Sequence, residues 1–271
     1  VENRCYSCHN NGDAARALMA ARDVDPRVLE STLRFLRAPE AWKDNGPDGE
    51  FSDQRLAALQ FGFALAATPR PGPELQRAAA LVAALQEPDG SWNFATSGLP
   101  GSPVTYGRVL STVAAREILL KAGARRGTAA AEAWLRARVP QSVLEAGALL
   151  YGRIFAHQAE CLDLIRTGRQ DGGWGPGLHS APEVFDTSVV LLGLAPLRDL
   201  PGVADWIRDG RGYLERTQRP DGSWPETTRP PGAESYAQRI STAGWALLAL
   251  RACGESTLFP GVVPEGNNPR K

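Results

Sequence analysis

Two cysteines and a histidine near the start of the chain form its most specific chemical signal. The segment ENRCYSCHNNGD places Cys5, Cys8 and His9 in the pattern C-x-x-C-H. This pattern is typical of covalent haem attachment, because thiols at this spacing can bond the two vinyl groups of a porphyrin while the following imidazole binds the iron. A zinc site and a simple loop disulfide are the alternatives.

The iron of a haem at this motif has a second axial position. Its candidate ligands are Met19, which is the only methionine of the chain, and two of the three histidines, His157 and His179; an open position is the alternative. Arg108 and Arg239 precede Ser-Thr pairs at predicted helix starts and are candidates to pair with the haem propionates. The simpler interpretation places these two arginines at the protein surface.

The zinc interpretation draws on a second part of the chain. His157 and Cys161 are spaced i, i+4, so they share one helical face and, together with Cys5 and Cys8, complete a four-ligand site. Otherwise Cys161, like Cys253, lies in an apolar helical context and is expected to be a small buried side chain. Four cysteines in 271 residues are too few for a disulfide scaffold.

Charge and hydropathy exclude two classes of partner. The chain has 30 Lys and Arg against 30 Asp and Glu, so it has no basic surplus for binding nucleic acid. No apolar run approaches the roughly 20 residues that cross a bilayer. The chain begins with Val1, not Met, which predicts an exported protein, periplasmic in a bacterium, from which a signal peptide has been removed.

The rest of the chain predicts helices joined by a repeated loop. Apolar residues recur at helical spacing almost everywhere, and no segment is a convincing strand. Pro-Asp-Gly is turn chemistry, and the aromatic residue after it is expected to cover a helix end and to stabilise the fold. The loops read GPDGEF, QEPDGSW, GRQDGGW and QRPDGSW, and their aspartates (Asp48, Asp89, Asp171 and Asp221) are 41, 82 and 50 residues apart. The middle gap is twice the first, so one copy near residue 130 has lost its signature, and the chain is predicted to be an all-α repeat protein.

The Q-x-x-D-G-x-W loops, followed by helices that open with DTS or STA, resemble the repeats of the squalene–hopene cyclase and prenyltransferase β-subunit superfamily. The resemblance covers about residues 40–253 and implies an α/α-toroid, with about five pairs of inner and outer helices around a central cavity. The CxSCH-type motif ahead of the repeats is similar to that of a group of bacterial squalene-cyclase-like proteins, a pattern that implies no particular reaction. We predict a haem-attachment segment with the first helix at 1–25, toroid repeats at 26–253 and a tail at 254–271.

The catalytic residues that this resemblance implies are missing. Cyclases of the superfamily protonate their substrate with the central Asp of D-x-D-D-T-A, and the matching segment EVFDTS has Phe185 in its place. Asp186 is then expected to be the N-cap of the next helix, as is Ser241 for a later one. The prenyltransferase zinc site needs an Asp two residues before a Cys, and neither Cys161 nor Cys253 has one.

The sequence therefore predicts an exported c-type haem protein on a toroid scaffold. With one covalent haem and a redox partner protein, it is expected to act in electron transfer or haem-based redox chemistry, and not as a cyclase or prenyltransferase. One alternative is a toroid that binds an isoprenoid or another lipid, with structural zinc at Cys5, Cys8, His157 and Cys161. Another is a docking subunit of a larger periplasmic or membrane-associated complex.

Overall fold

The computed structural model of the chain describes residues 8–21, 24–42, 54–94, 99–229, 232 and 234–254, with side chains from residue 12 onward. Over these ranges the structure is mostly helical and has almost no strand, which confirms the predicted fold class. Its α-helices are, in chain order, α1 (Cys8–Ala20), α2 (Pro26–Leu36), α3 (Gln54–Ala66), α4 (Pro73–Ala83), α5 (Arg108–Lys121), α6 (Arg125–Ala137), α7 (Val143–Tyr151), α8 (Gln158–Thr167), α9 (Val184–Leu194), α10 (Val203–Thr217) and α11 (Tyr236–Gly254). Two-residue strands β1 (Arg169–Gln170) and β2 (Gly173–Trp174) pair antiparallel within the GRQDGGW loop.

The odd-numbered helices form a closed inner ring. Helix α1 packs between α3 and α11, and the ring continues from α3 through α5, α7 and α9 to α11. The even-numbered helices lie outside: α2 packs on α1 and α3, α4 on α3 and α5, α6 on α5, α8 on α7, and α10 on α9 and α11. The described part is thus an α/α-toroid of five outer–inner helix pairs. Helix α1 is a further inner helix, and it comes from the segment 1–25 that the sequence predicts to precede the toroid repeats.

Sequence composition separates the two layers. The most apolar inner helices are buried on all sides, as in α3, where every residue from Leu56 to Ala66 is buried. Outer helices are amphipathic, and α10 buries only Val203, Ile207, Gly210 and Leu214. A helix with one apolar face covers a core, whereas a helix that is apolar all round belongs inside it.

The repeated loops connect the two layers through their tryptophans. The indole Nε1–H of Trp92 donates to Val82 O at 2.8 Å, that of Trp174 to Ile165 O at 2.7 Å, and that of Trp224 to Leu214 O at 2.8 Å. Each bond reaches a carbonyl in the last turn of an outer helix, where the regular backbone amide four residues on is not available. The loop tryptophans are therefore structural, as the sequence predicts. The first loop, GPDGEF, lies outside the described residues.

The aspartates of these loops hold the turns that the sequence predicts. Asp89 accepts from the backbone N of Ser91 at 3.0 Å, and Asp221 does the same for Ser223 at 3.0 Å. Near residue 130, where a copy has lost its signature, α6 is followed directly by a short linker and Ser142, whose hydroxyl caps α7. Because inner and outer helices alternate along the chain, all inner helices run in the same direction and end at the same face of the ring.

Candidate functional site

The C-x-x-C-H motif adjoins the first turn of an inner helix. Helix α1 begins at Cys8, so Cys8 and His9 occupy its first turn, at the face of the ring where inner helices begin. Cys5 and the side chains of Cys8 and His9 lie outside the described residues. The proposed roles of these three residues stay predictions.

Close backbone contacts hold α1 in the ring. A Cβ atom at Gly12 would lie 2.8 Å from the carbonyl oxygen of Gln60 in α3, and a Cβ atom at Gly244 in α11 would lie 2.9 Å from the carbonyl oxygen of Asp13. Both contacts are closer than real Cβ atoms allow, so glycine lets α1 approach both neighbours. The residues that follow the motif in the sequence therefore dock α1 against α3 and α11.

Asp13 is the centre of a buried polar cluster in the ring. Its Oδ1 accepts a hydrogen bond from the Tyr106 hydroxyl and its Oδ2 accepts one from the Ser241 hydroxyl, while Arg16 Nη1 lies 3.4 Å from Oδ1. Burial raises the pKa of the Asp13 carboxyl from 3.8 to about 6, against the opposing effects of Arg16 and the two hydroxyls. The cluster joins α1 to α11 and to the loop before α5.

Asp13 is not among the residues that the sequence predicts for a site. A usable signal exists, because Asp13 and Arg16 are charged residues at i, i+3 in an otherwise Ala-rich helix. On sequence alone this pair is equally compatible with an exposed helix face. Only the packing of α1 between α3 and α11 places this pair in the interior of the ring.

Arg16 lies among aromatic rings in the interior. Its guanidinium carbon is 4.0 Å from the ring centroid of Phe63 and 4.5 Å from that of Trp245, in cation–π geometry. Its Nη2 donates to the Tyr151 hydroxyl at 2.7 Å. Trp245 also contacts Phe185 edge to face at 5.4 Å between ring centroids. These side chains fill the ring at the level of Asp13.

A cavity opens beyond this aromatic layer, at the face where the inner helices end. Its volume is about 690 Å³, and every inner helix or the residues just after it contribute to its wall. Arg16, Phe63 and Tyr151 belong to both the aromatic layer and the cavity lining. The apolar wall is completed mainly by Met19, Val113, Leu120, Leu192 and Leu248.

The segment that matches the cyclase motif has no acid facing the interior at Phe185. Phe185 is fully buried and packs on Trp245. The loss of the proton donor stays a prediction. The prediction that Asp186 is the N-cap of α9 is wrong. Glu183 holds that position, and Asp186 lies buried in the first turn, paired with Arg229. Burial raises the pKa of Asp186 to about 7, although Arg229 opposes the shift. The acid that looked like a cap is instead half of a buried ion pair.

The expected N-cap at Ser241 is also wrong. Helix α11 begins at Tyr236, so Ser241 lies inside it, fully buried. Its hydroxyl donates to Asp13. Tertiary contact, and not helix capping, explains a serine at this position.

The two arginines proposed for haem propionates lie in the first turns of α5 and α11 and pair with acidic residues of the repeat loops. Arg108 Nη2 is 2.5 Å from Asp89 Oδ2, and Arg239 Nε is 2.7 Å from Glu226 Oε1. Both arginines are partly exposed. These pairs fit the simpler interpretation of surface residues at helix starts, and a role at a haem stays a prediction.

The candidate axial ligands lie far apart. Met19 is ten residues beyond His9 in the same helix, about 15 Å along its axis, and lines the cavity at the opposite face. His157 precedes α8, an outer helix that begins at that opposite face, with Nδ1 3.7 Å from Glu160. His179 is exposed in the loop before α9, on the face where α1 begins. Of the three, only His179 shares a face of the toroid with the motif.

The remaining zinc candidate is a buried thiol. Cys161 and Cys253 are both free and buried, as expected. Burial raises the pKa of Cys161 to about 12, which opposes the thiolate form that binds zinc. Helix α8 packs on α7, across the ring from α1, so the described structure does not bring Cys161 and His157 to the start of α1.

The described ranges contain neither a metal-binding cluster nor a membrane-spanning helix. No group of three or more His, Cys, Asp or Glu side chains there is placed to hold a metal ion. Among the same residues, no helix has the length and apolar character needed to span a bilayer.

The fold is similar to that of type II terpene cyclases. The type II terpene cyclase MstE from Scytonema matches with a TM-score of 0.58 and 16% identity, over 90% of this chain and 86% of that chain. The ent-copalyl diphosphate synthase from Streptomyces platensis matches with a TM-score of 0.59 and 18% identity, over 92% of this chain and 50% of that chain. Neither a protein-family model nor a curated protein sequence matches. At these identities the likeness establishes a terpene-cyclase-like toroid fold and nothing about the reaction.

Proposed function

We propose that this chain is a c-type haem protein in which a terpene-cyclase-like toroid carries one covalent haem. The observation that carries the proposal is the C-x-x-C-H motif where α1 begins. The donor set fits the group, because two thiols and an adjacent imidazole are what thioether attachment and proximal ligation need. Cys5 and Cys8 would hold the haem and His9 would bind its iron. A bound haem supplies one-electron redox chemistry.

The toroid's part is to hold the motif in place. Gly12 and Gly244 allow α1 to dock, and Asp13 bonds it to two other parts of the ring. A group attached at the start of α1 is then fixed relative to the whole molecule, as transfer to a redox partner requires. In line with this chemistry we propose export to the periplasm and a protein redox partner. For the second axial position we favour His179, because it shares the face of the toroid with the motif.

A pyridine haemochrome assay tests the proposal. We expect protein made in cells with a haem c attachment system to show a c-type spectrum and one haem per chain. Cys5→Ala, Cys8→Ala and His9→Ala should each remove or shift that spectrum. Cys161→Ala and Cys253→Ala are the matched controls and should keep it, since both thiols are buried in helices. A folded but colourless protein, or one that contains zinc instead, would overturn the haem proposal.

A second candidate function has its own observation. The cavity of about 690 Å³ is of the size and character of small-molecule sites, which favours a toroid that binds an apolar or amphipathic ligand. Direct titration with such a ligand tests it. The two functions are compatible, because the cavity and the motif lie at opposite faces of the ring.

A further inference from the structure

The cavity combines an apolar wall with a buried cation at its floor. We infer that it binds a small amphipathic monocarboxylate, with the carboxylate directed to Arg16 and the hydrocarbon chain along the wall. This inference rests on the ligand-binding function proposed above and specifies the chemical class of the ligand. It is independent of the haem.

Arg16 is suited to receive an anion. Its side chain is only 4% exposed, and its hydrogen-bond partners among the described residues are Asp13 at 3.4 Å, Tyr151 at 2.7 Å and the Tyr106 side chain, whereas a guanidinium carries five N–H donors. A planar guanidinium can offer two parallel N–H groups to one carboxylate. The contact with Asp13 is long, and both Asp13 oxygens also accept from hydroxyls. The Asp13 carboxylate is therefore shared between Arg16 and the two hydroxyls.

The charges of the wall favour an anion as well. The lining includes the four cations Arg16, Arg116, Lys121 and Arg153 and the single anion Glu117. Six inner helices end here, and their negative dipole ends would oppose an anion.

Side chains at the rim offset these helix ends. Lys121 Nζ donates to Ala66 O at 2.8 Å, and Arg116 Nη1 donates to Gly152 O at 3.4 Å. Arg116 is further paired with Glu132 at 2.6 Å. With Ala66 O and Gly152 O bonded by these side chains and Arg116 paired with Glu132, Arg16 is the cation at the floor of the cavity that a ligand head group meets.

The apolar wall fits a hydrocarbon chain. Phe63, Val113, Leu192 and Leu248 come from four different inner helices and face the same space. Transfer of each methylene from water into such a space contributes about 0.8 kcal/mol. A molecule with a carboxylate at one end and a short chain behind it uses both features of the cavity.

Calorimetric titration with three ligands of equal chain length tests the class. We expect octanoate to bind at least about tenfold more tightly than octan-1-ol, and octylammonium to bind most weakly. If the alcohol or the ammonium ion binds as tightly as octanoate, the inference that the ligand is a carboxylate is wrong, while the proposed ligand-binding function of the toroid stands. If none of the three binds, both the inference and the ligand-binding function fail.

Paired tryptophan variants locate the site. Leu248→Trp fills part of the cavity and should lower octanoate affinity at least about tenfold, whereas Leu247→Trp changes a neighbour that is 50% exposed and outside the lining, and should leave it unchanged. Equal affinity in both variants would place the ligand elsewhere and overturn the inference.

Arg16→Gln tests the head-group contact. It should abolish the preference for octanoate over octan-1-ol while leaving the alcohol's affinity within about twofold. A preference that persists in the folded variant would overturn the role of Arg16. If circular dichroism shows that the variant does not fold, the three-ligand comparison on the unchanged protein still decides the ligand class.

Discussion

At the scale of single residues, the most informative group is a buried acid. Asp13 is fully buried and bonded to Tyr106 and Ser241, with Arg16 one turn away. Burial raises its pKa from 3.8 to about 6 because desolvation outweighs these partners. In the sequence, the same residue is one of 30 acids and carries no mark of its environment.

This acid makes stability depend on pH in a defined direction. An acid with a higher pKa in the folded state binds its proton more tightly there, so the folded state loses stability as pH rises from 3.8 to about 6. The shift corresponds to about 3 kcal/mol. The Asp13→Asn variant has no ionisable group at this position and therefore does not lose this stability. We compare the unfolding free energy of the variant with that of the unchanged protein: the variant's value minus the unchanged protein's value should rise by about 3 kcal/mol between about pH 4 and about pH 7.

Urea denaturation at a series of pH values measures this difference. Asp89→Asn is a suitable control, because hydrogen bonds from Ser91 and the charge of Arg108 outweigh burial and lower the pKa of Asp89. The unfolding free energy of Asp89→Asn minus that of the unchanged protein should fall as pH rises, since the ionised form of Asp89 is the one that folding favours. A flat difference for Asp13→Asn would contradict the raised pKa.

At the scale of elements, α1 is the helix whose position the sequence does not show. The sequence predicts a helix after the motif, and the structure makes it an inner helix between α3 and α11. Two glycines, Gly12 and Gly244, allow that placement. A glycine inside a helix is otherwise destabilising relative to alanine, so both positions indicate close packing.

Alanine substitution at these glycines should separate α1 from its neighbours. We expect Gly12→Ala and Gly244→Ala each to lower the unfolding free energy by about 1–3 kcal/mol, because the new Cβ atoms meet backbone atoms that cannot yield cheaply. Gly212→Ala in α10 is the matched control: its Cβ would meet only the end of the Arg216 side chain, so it should raise stability by about 0.5–1 kcal/mol through helix propensity. Thermal or chemical unfolding measures the change in unfolding free energy of each of the three variants. A variant at Gly12 or Gly244 that is more stable than the unchanged protein would refute the close packing.

At the scale of the whole molecule, the ring is closed by helices from the two ends of the described chain. Helix α1 meets α11, so each inner helix contacts two others and none lies at an open edge. An inner helix cannot leave without breaking both of its ring contacts. An outer helix such as α2 covers the ring from one side only.

Native-state hydrogen exchange should reflect this closure. We expect amides of α1 from Asp13 onward to be as protected as those of α7, because both helices have two ring neighbours. Amides of α2 serve as the comparison and should exchange through openings of lower free energy. Exchange of α1 at the rate of α2 would show that α1 opens independently of the ring.

The sequence by itself determined the fold class, the repeated loops and the missing cyclase acid at Phe185. These follow from local physics: helical periodicity, turn chemistry and residue identity act over a few positions, so they can be read along the chain. Tertiary structure decided that α1 closes the ring, that Asp186 pairs with Arg229 instead of capping α9, and that Asp13 and Arg16 lie inside. Burial and charge pairing depend on residues up to 228 positions apart, as between Asp13 and Ser241, and no local pattern carries that information.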